Sequence, residues 1–280
     1  MRINKLFSNY GICSRKETNK LIEEKRIKVN GEYCVLGQWV EEADEILLDD
    51  KLVLPKKKIY IALNKPAGII CTAEKNVDNN IIDFIKYPQY IFPVGRLDKD
   101  SQGLIIMTND GELANEILEC DNMHEKEYIV EVNKEFNDNF VTQLSQGINI
   151  TGNEGSGIKR ISDTLGIKKN EISEKVLSAK ENIYKLNTIQ LNSLSKNKAN
   201  TVKTRPCKVF RINENSFKII LTQGLNRQIR KMCGSLGFEV IKLERIRIMN
   251  ITINDMDIGK WRYLCEKEVE ELRRLVSLND

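Results

Sequence analysis

A chain of 280 residues is long enough for two domains with cores of their own. Its 41% hydrophobic and 30% charged content is that of a soluble protein, and no apolar run reaches the length of a membrane span. The net charge of +4 is mild, and seven scattered cysteines without a CxxC pair, beside a single histidine, argue for reduced thiols and against a zinc site. Met1-Arg2-Ile3-Asn4-Lys5 runs straight into amphipathic sequence, so no signal peptide is expected and a cytoplasmic location is.

Ile3, Leu6, Phe7 and Tyr10 share one helical face, and Gly11 ends that helix. Ser14-Arg15-Lys16-Glu17 reads as a capping box that starts a second helix, running to about Lys25. Asn30-Gly31 predicts a hairpin turn, and Ile46-Leu47-Leu48 is the clearest strand after it. The first 28 residues carry eight Lys or Arg against three Glu. The segment 51–58, with Pro55 and a lysine run, reads as a linker between a unit at 1–50 and a larger one at 59–280.

Ile59 to Leu63 predicts a buried strand ending in the turn Asn64-Lys65-Pro66-Ala67-Gly68, with Ile69-Ile70-Cys71 resuming it. Tyr90 to Val94 and Leu104 to Met107 are apolar runs on either side of a polar loop, Gly95 to Gly103, that holds Asp98 and Asp100. Glu112 to Leu118 reads as a short helix, and the segment His124 to Val132 enters an alternating strand, with His124 in the preceding loop as surface decoration. Phe210-Arg211-Ile212 and Phe217 to Leu221 make a hairpin, Gly224 to Cys233 opens a helix with a basic face, Val240 to Ile248 is a strand, and Glu266 to Val276 is a closing helix. Between Asn153 and Lys203 there are ten Lys or Arg against five Asp or Glu, in sequence rich in Asn and Ser. Ile161, Leu165, Ile172 and Val176 hint at short helices there.

Gly95-Arg96-Leu97-Asp98 followed by Ser101-Gln102-Gly103-Leu104 resembles the central motif of RNA pseudouridine synthases, in the branch typified by the small-subunit and large-subunit ribosomal RNA enzymes. The longer wording through Ile105 is most similar to the RluF group within that branch. Lys65-Pro66-Ala67-Gly68, Glu125-Lys126-Glu127-Tyr128, Asn226-Arg227-Gln228-Ile229-Arg230 and the strand around Leu243 resemble the other family motifs. The first 50 residues resemble a small RNA-binding domain of the αL type, like that of a small-subunit ribosomal protein.

The resemblance implies an α+β fold: this small domain joined to a mixed α/β catalytic domain with a mainly antiparallel sheet. It implies Asp98, Tyr128 and Arg230 as catalytic residues and Arg96, Leu243, Lys65 and Arg227 as substrate-binding ones. Arg2, Lys5, Arg15 and Lys16 would contact RNA from the N-terminal unit, where a local basic patch is what a phosphate backbone feels. It implies no cofactor, no metal, a monomer, and large-subunit ribosomal RNA as partner, with a tRNA as second candidate. Segment 153–200 departs from the family as an insertion of about 45 residues, either a solvated excursion or an RNA contact. Two rival readings differ in class: an inactive RNA-binding or ribosome-assembly factor, and a glycosidase pairing Asp98 with Asp100.

Overall fold

In this computed structural model, residues 1–41, 43–74, 76–118, 123–151 and 201–277 are described. The expected short helices at Ile161 to Val176, and the insertion as a whole, lie outside the described residues.

The chain opens with α1 (Ile3–Asn9) and α2 (Arg15–Glu23). Gly11, at φ +69°, turns the chain between them. The capping box forms as expected: Glu17 N–H donates to Ser14 Oγ, and the Glu17 carboxylate accepts from Ser14 N–H. Four short strands follow, β1 (Ile27–Val29), β2 (Glu32–Tyr33), β3 (Ile46–Leu48) and β4 (Lys51–Leu52), in the antiparallel order β2-β1-β3-β4. Asn30 and Gly31 both take positive φ in the β1–β2 turn. Ile3, Leu6, Phe7, Ile22, Ile27, Val29 and Ile46 form a core of their own. Lys51 and Leu52 fall in the stretch read as linker. Backbone pairing to Leu48 and Leu47 recruits them into this sheet, which composition alone did not signal.

A nine-stranded sheet follows. Its strands are β5 (Tyr60–Lys65), β6 (Phe92–Pro93), β7 (Gln102–Thr108), β8 (Lys126–Val132), β11 (Lys208–Arg211), β12 (Ser216–Leu221), β13 (Val240–Ile248), β14 (Ile251–Thr252) and β15 (Trp261–Tyr263). Seven of them follow the path β11-β12-β8-β13-β7-β5-β15, with β14 on β13 and β6 on β7. Every pairing is antiparallel except β13 with β7. Both faces of the central strands are covered, which is why β7 reads as unbroken apolar sequence rather than an alternation. Leu104 and Ile106 pack on one face against α4 (Gly111–Leu118) and α7 (Glu266–Ser277). Ile105 and Met107 pack on the other, with Ile61, Leu63 and α3 (Ile81–Ile85).

Two sequence expectations change here. Ile69 to Cys71 is not a strand; Ile70 makes only an isolated bridge to Asn80, because the turn at Pro66–Gly68 diverts the chain. His124 is not surface decoration. It is 4% exposed with Nδ1 3.1 Å from Ile117 O, since its side chain packs against the last turn of α4.

The α1–β4 residues and the nine-stranded sheet fall in one compact unit (Met1–Phe136, Lys208–Gln223, Val240–Asp280). A second comprises Asn137–Cys207 and Gly224–Glu239. In it lie α5 (Asp138–Ser145), β9 (Asn149–Thr151), β10 (Thr201–Lys203) and α6 (Gln228–Ser235). Thr201 pairs with Thr151, so β10 lies antiparallel beside β9.

Candidate active site

The register of the large sheet lines up four residues across neighbouring strands. Lys65 on β5 pairs with Gly103 on β7, Gly103 with Arg245 on β13, and Arg245 with Tyr128 on β8. Directly paired residues project from the same face. That face is the one carrying Leu63 and Ile105, each two positions from a member of the row, and Tyr128 packs against the same cluster. One pair further along it, Leu243 stands opposite Val130, 6% exposed.

Gly103 makes the row possible. Its φ is +111°, and a Cβ there would stand 2.3 Å from the Arg245 carbonyl oxygen, so only glycine fits between β7 and β13. The gap lets the Arg245 guanidinium reach along β7, where Nε donates to Leu104 O at 2.7 Å.

The loop bearing Asp98 enters β7 at this end of the sheet. Leu97 anchors it, 7% exposed in the apolar cluster that Tyr128 borders, with its N–H on Cys71 Sγ. Ser101 is fully buried and closes a turn onto Asp98 O, so the carboxylate is held half-buried between two fixed residues. Arg96, Lys99 and Asp100 are exposed.

The turn after β5 braces this loop, with Gly68 N–H donating to Lys99 O at 2.7 Å. Lys65 shapes that turn: it is 0% exposed, and Nζ donates to Pro66 O at 2.9 Å and Ile69 O at 2.8 Å. Burial pulls the Lys65 ammonium below the ordinary lysine range. The Cys71 thiol opposes that shift, Arg245 adds to it, and the carboxylates of Asp98 and Asp100 oppose it. Lys65, Arg245, Asp98 and Asp100 therefore share one electrostatic neighbourhood.

Of the residues singled out from the sequence, Asp98, Tyr128, Lys65, Leu243 and Arg96 fall in the first unit, on or beside this row. Arg227 and Arg230 fall in the second: Arg227 is exposed, at φ 51°, ahead of α6, and Arg230 is half-buried in its first turn. Arg2 precedes α1, Lys5 lies within it, and Arg15 and Lys16 are the exposed first residues of α2. Arg245 escaped the sequence reading. Its signal was present, since in Leu243-Glu244-Arg245-Ile246 the buried phase of the strand falls on an arginine, a residue rarely buried without purpose.

Among the described residues, no group of three or more His, Cys, Asp or Glu is placed to hold a metal ion, and no helix is long and apolar enough to cross a membrane. The six cysteines described are unbridged.

A family model for RNA pseudouridylate synthase matches residues 59–235. A relative from Salmonella typhi, named dual-specificity RNA pseudouridine synthase RluF, is 38% identical over 279 residues, covering 99% of this chain and 80% of its own length. Its namesake in Escherichia coli (strain K12) is 37% identical over 280 residues with the same coverage. Ribosomal large subunit pseudouridine synthase B of Bacillus subtilis is 30% identical, over 99% of this chain and 97% of its own. A crystal structure of a pseudouridylate synthase shares the fold over 97% of this chain and 99% of its own, with a TM-score of 0.60 at 22% identity. This chain belongs to the RNA pseudouridylate synthase family and is an RNA pseudouridine synthase.

Proposed function

We propose that this enzyme isomerises a uridine of large-subunit ribosomal RNA, with a tRNA as a second substrate, and that Asp98, Tyr128 and Arg230 carry the chemistry. The substrate reading is supported by the relatives' names, one of which specifies the ribosomal large subunit and two dual specificity. The observation that carries the site reading is the transverse row, which sets a half-buried tyrosine on the same sheet face as the residues bracing the Asp98 loop.

The isomerisation breaks the N1–C1′ bond, forms C5–C1′, releases the C5 proton and returns a proton to N1, so its atoms and electrons balance within the substrate. Asp98 is the carboxylate that acts at the junction of sugar and base, by attack at C1′, attack at C6 or a glycal route. Tyr128 offers the π-face on which an extruded base stacks and assists the proton movement at C5. Leu243, on the same face, closes the apolar side of the pocket. Arg96, exposed beside Asp98, fills the gap left in the RNA stack; unstacking costs about a few kcal/mol, so a guanidinium there offsets part of it. The part of Arg230 as counter-charge to the carboxylate, and that of Arg227 as an RNA contact, rest on their motif wording. Arg2, Lys5, Arg15 and Lys16 belong to the RNA-contacting set of the N-terminal unit.

Asp98→Asn tests the assignment. Pseudouridine formation, mapped by carbodiimide modification on ribosomal RNA and tRNA transcripts, should fall by at least ~10³-fold with RNA affinity retained. Substantial turnover by the purified variant would refute it. Modification of a tRNA transcript but of no large-subunit RNA would overturn the substrate reading.

A further inference from the structure

We infer that Arg245 is the fixed positive charge that stabilises the uracil ring while it carries negative charge during the reaction. The inference rests on the site reading above, with Asp98 as the reacting carboxylate and Tyr128 as the face that receives the base.

Arg245 is 3% exposed on the central strand β13. Among the described residues, its guanidinium makes one hydrogen bond, Nε to Leu104 O, and its buried Nη2 has no partner. Burying a cation is expensive, and leaving its donors unmatched adds to the cost. Its neighbour Arg247 is built otherwise: Nε reaches Glu127 at 2.8 Å, Nη1 reaches Met249 O at 2.8 Å and Nη2 reaches Glu125 at 2.9 Å. An arginine kept only to join β13 to β7 would have no use for an unmatched charge, because a neutral amide could donate to Leu104 O. A buried polar group left unsatisfied in a folded protein calls for an explanation, and a reacting site is one place where such groups are kept.

The position supplies that explanation. Arg245 and Tyr128 are directly opposed across β13 and β8, with Cβ atoms typically about 4.5–5.5 Å apart in such a pair. A base stacked on Tyr128 lies over a sheet whose adjoining position is a guanidinium. Each route open to a single carboxylate puts negative charge on the ring. In attack at C1′ and in the glycal route, the N1–C1′ electron pair leaves with N1 and the base becomes a uracil anion. In attack at C6, the ring's π electrons move to O4 as an enolate. When C5 bonds to C1′ and its proton leaves, N1 regains a proton and neutrality returns. A cation fixed before the reaction, in a site shielded from water, stabilises that charge without reorganisation.

The test compares wild type, Arg245→Gln, Arg245→Met, Arg245→Lys and Asp98→Asn by single-turnover kinetics on an RNA that wild type modifies. RNA affinity and thermal melting are measured alongside. Loss of the charge should slow the Gln and Met variants by about 10²-fold with RNA affinity essentially unchanged. Arg245→Lys should recover to within about tenfold of wild type. On RNA carrying 5-fluorouridine, whose fluorine shares the ring's negative charge, the deficit of Arg245→Gln in breaking the N1–C1′ bond should be smaller than on uridine. A Gln variant as fast as wild type overturns the inference, as do a folded Lys variant as slow as Gln and equal deficits on the two RNAs. Should neither neutral variant fold, Arg245→Lys decides alone: a folded lysine enzyme slowed by about 10²-fold or more overturns it. An Asp98→Asn enzyme that still turns over sinks the site reading and this inference with it.

Discussion

Two buried charged groups, Asp110 and Arg245, stand near opposite ends of strand β7 and are built on opposite plans. Beyond its last residue, Asp110 is 2% exposed and saturated with partners: Tyr60 Oη donates to it at 2.7 Å, Arg273 Nη2 at 2.7 Å and Lys58 Nζ at 3.4 Å. At its start, Arg245 lies against Gly103 with a buried nitrogen that has no partner among the described residues. The Asp110 end fastens parts of the chain together. Lys58 also donates to Asn9 O, Asn9 donates to Glu112, and the Asn109 side chain accepts from Ile59 N–H and donates to Lys57 O. A Cβ on Gly11 would come within 2.6 Å of Asn109 Nδ2, so the end of α1 is pressed closely against this turn. The contrast separates two uses of a buried charge: a structural one is closed by its neighbours, whereas one held for chemistry keeps capacity for a substrate.

That comparison can be broken at either end. The largest effect on stability is expected from Gly103→Ala, which puts a Cβ against the Arg245 backbone at a φ that alanine avoids. Denaturant unfolding should show a loss of about 3 kcal/mol or more, with loss of turnover as β13 shifts. Unchanged stability would mean that the two strands separate easily and the row is not rigid.

Asp110→Asn should cost less, about 2 kcal/mol, because the side chains of Arg273 and Lys58 are 49% and 36% exposed and water screens them. Burial by itself would raise the Asp110 pKa. The Tyr60 hydroxyl, Lys58 and Arg273 outweigh it and hold the carboxyl below its ordinary range. Its stabilisation is therefore complete above the unfolded carboxyl value of about 3.9 and is lost as pH falls through the lower folded value. Wild-type and Asp110→Asn stability curves should converge in that acid window, with single-turnover rates near neutrality little changed. A rate loss matching that of Arg245→Gln would erase the distinction between the two ends.

The smallest effect is expected from Tyr60→Phe, about 1 kcal/mol at neutral pH. Burial and then the Asp110 carboxylate push the Tyr60 hydroxyl up to about 12. Its contribution is complete below the unfolded value of about 10 and fades as pH rises through about 12, so wild type should lose stability there that the Phe variant lacks.

What could be read in advance was local. The capping box at Ser14–Glu17 and the Asn30-Gly31 turn follow from chemistry within a few residues, the bounds of β13 from the family wording, and the structure has all three. The Asp98 loop was marked by its wording, and it does lie between two strands, although β6 is only Phe92–Pro93. His124, Ile69–Cys71 and Lys51–Leu52 were misread because distant packing decided each: α4 covers the first, the Pro66–Gly68 turn diverts the second, and β3 recruits the third.

By itself, then, the sequence determined the family, the helices and strands with strong local signals, and the loop that carries Asp98. Only the tertiary structure decided that Lys65, Gly103, Arg245 and Tyr128 form one row, since they lie on four strands and meet only through register. It also decided which buried charges are closed and which is left open. A side chain's hydrogen-bond balance depends on neighbours that the chain brings from far away, and local sequence holds no record of them.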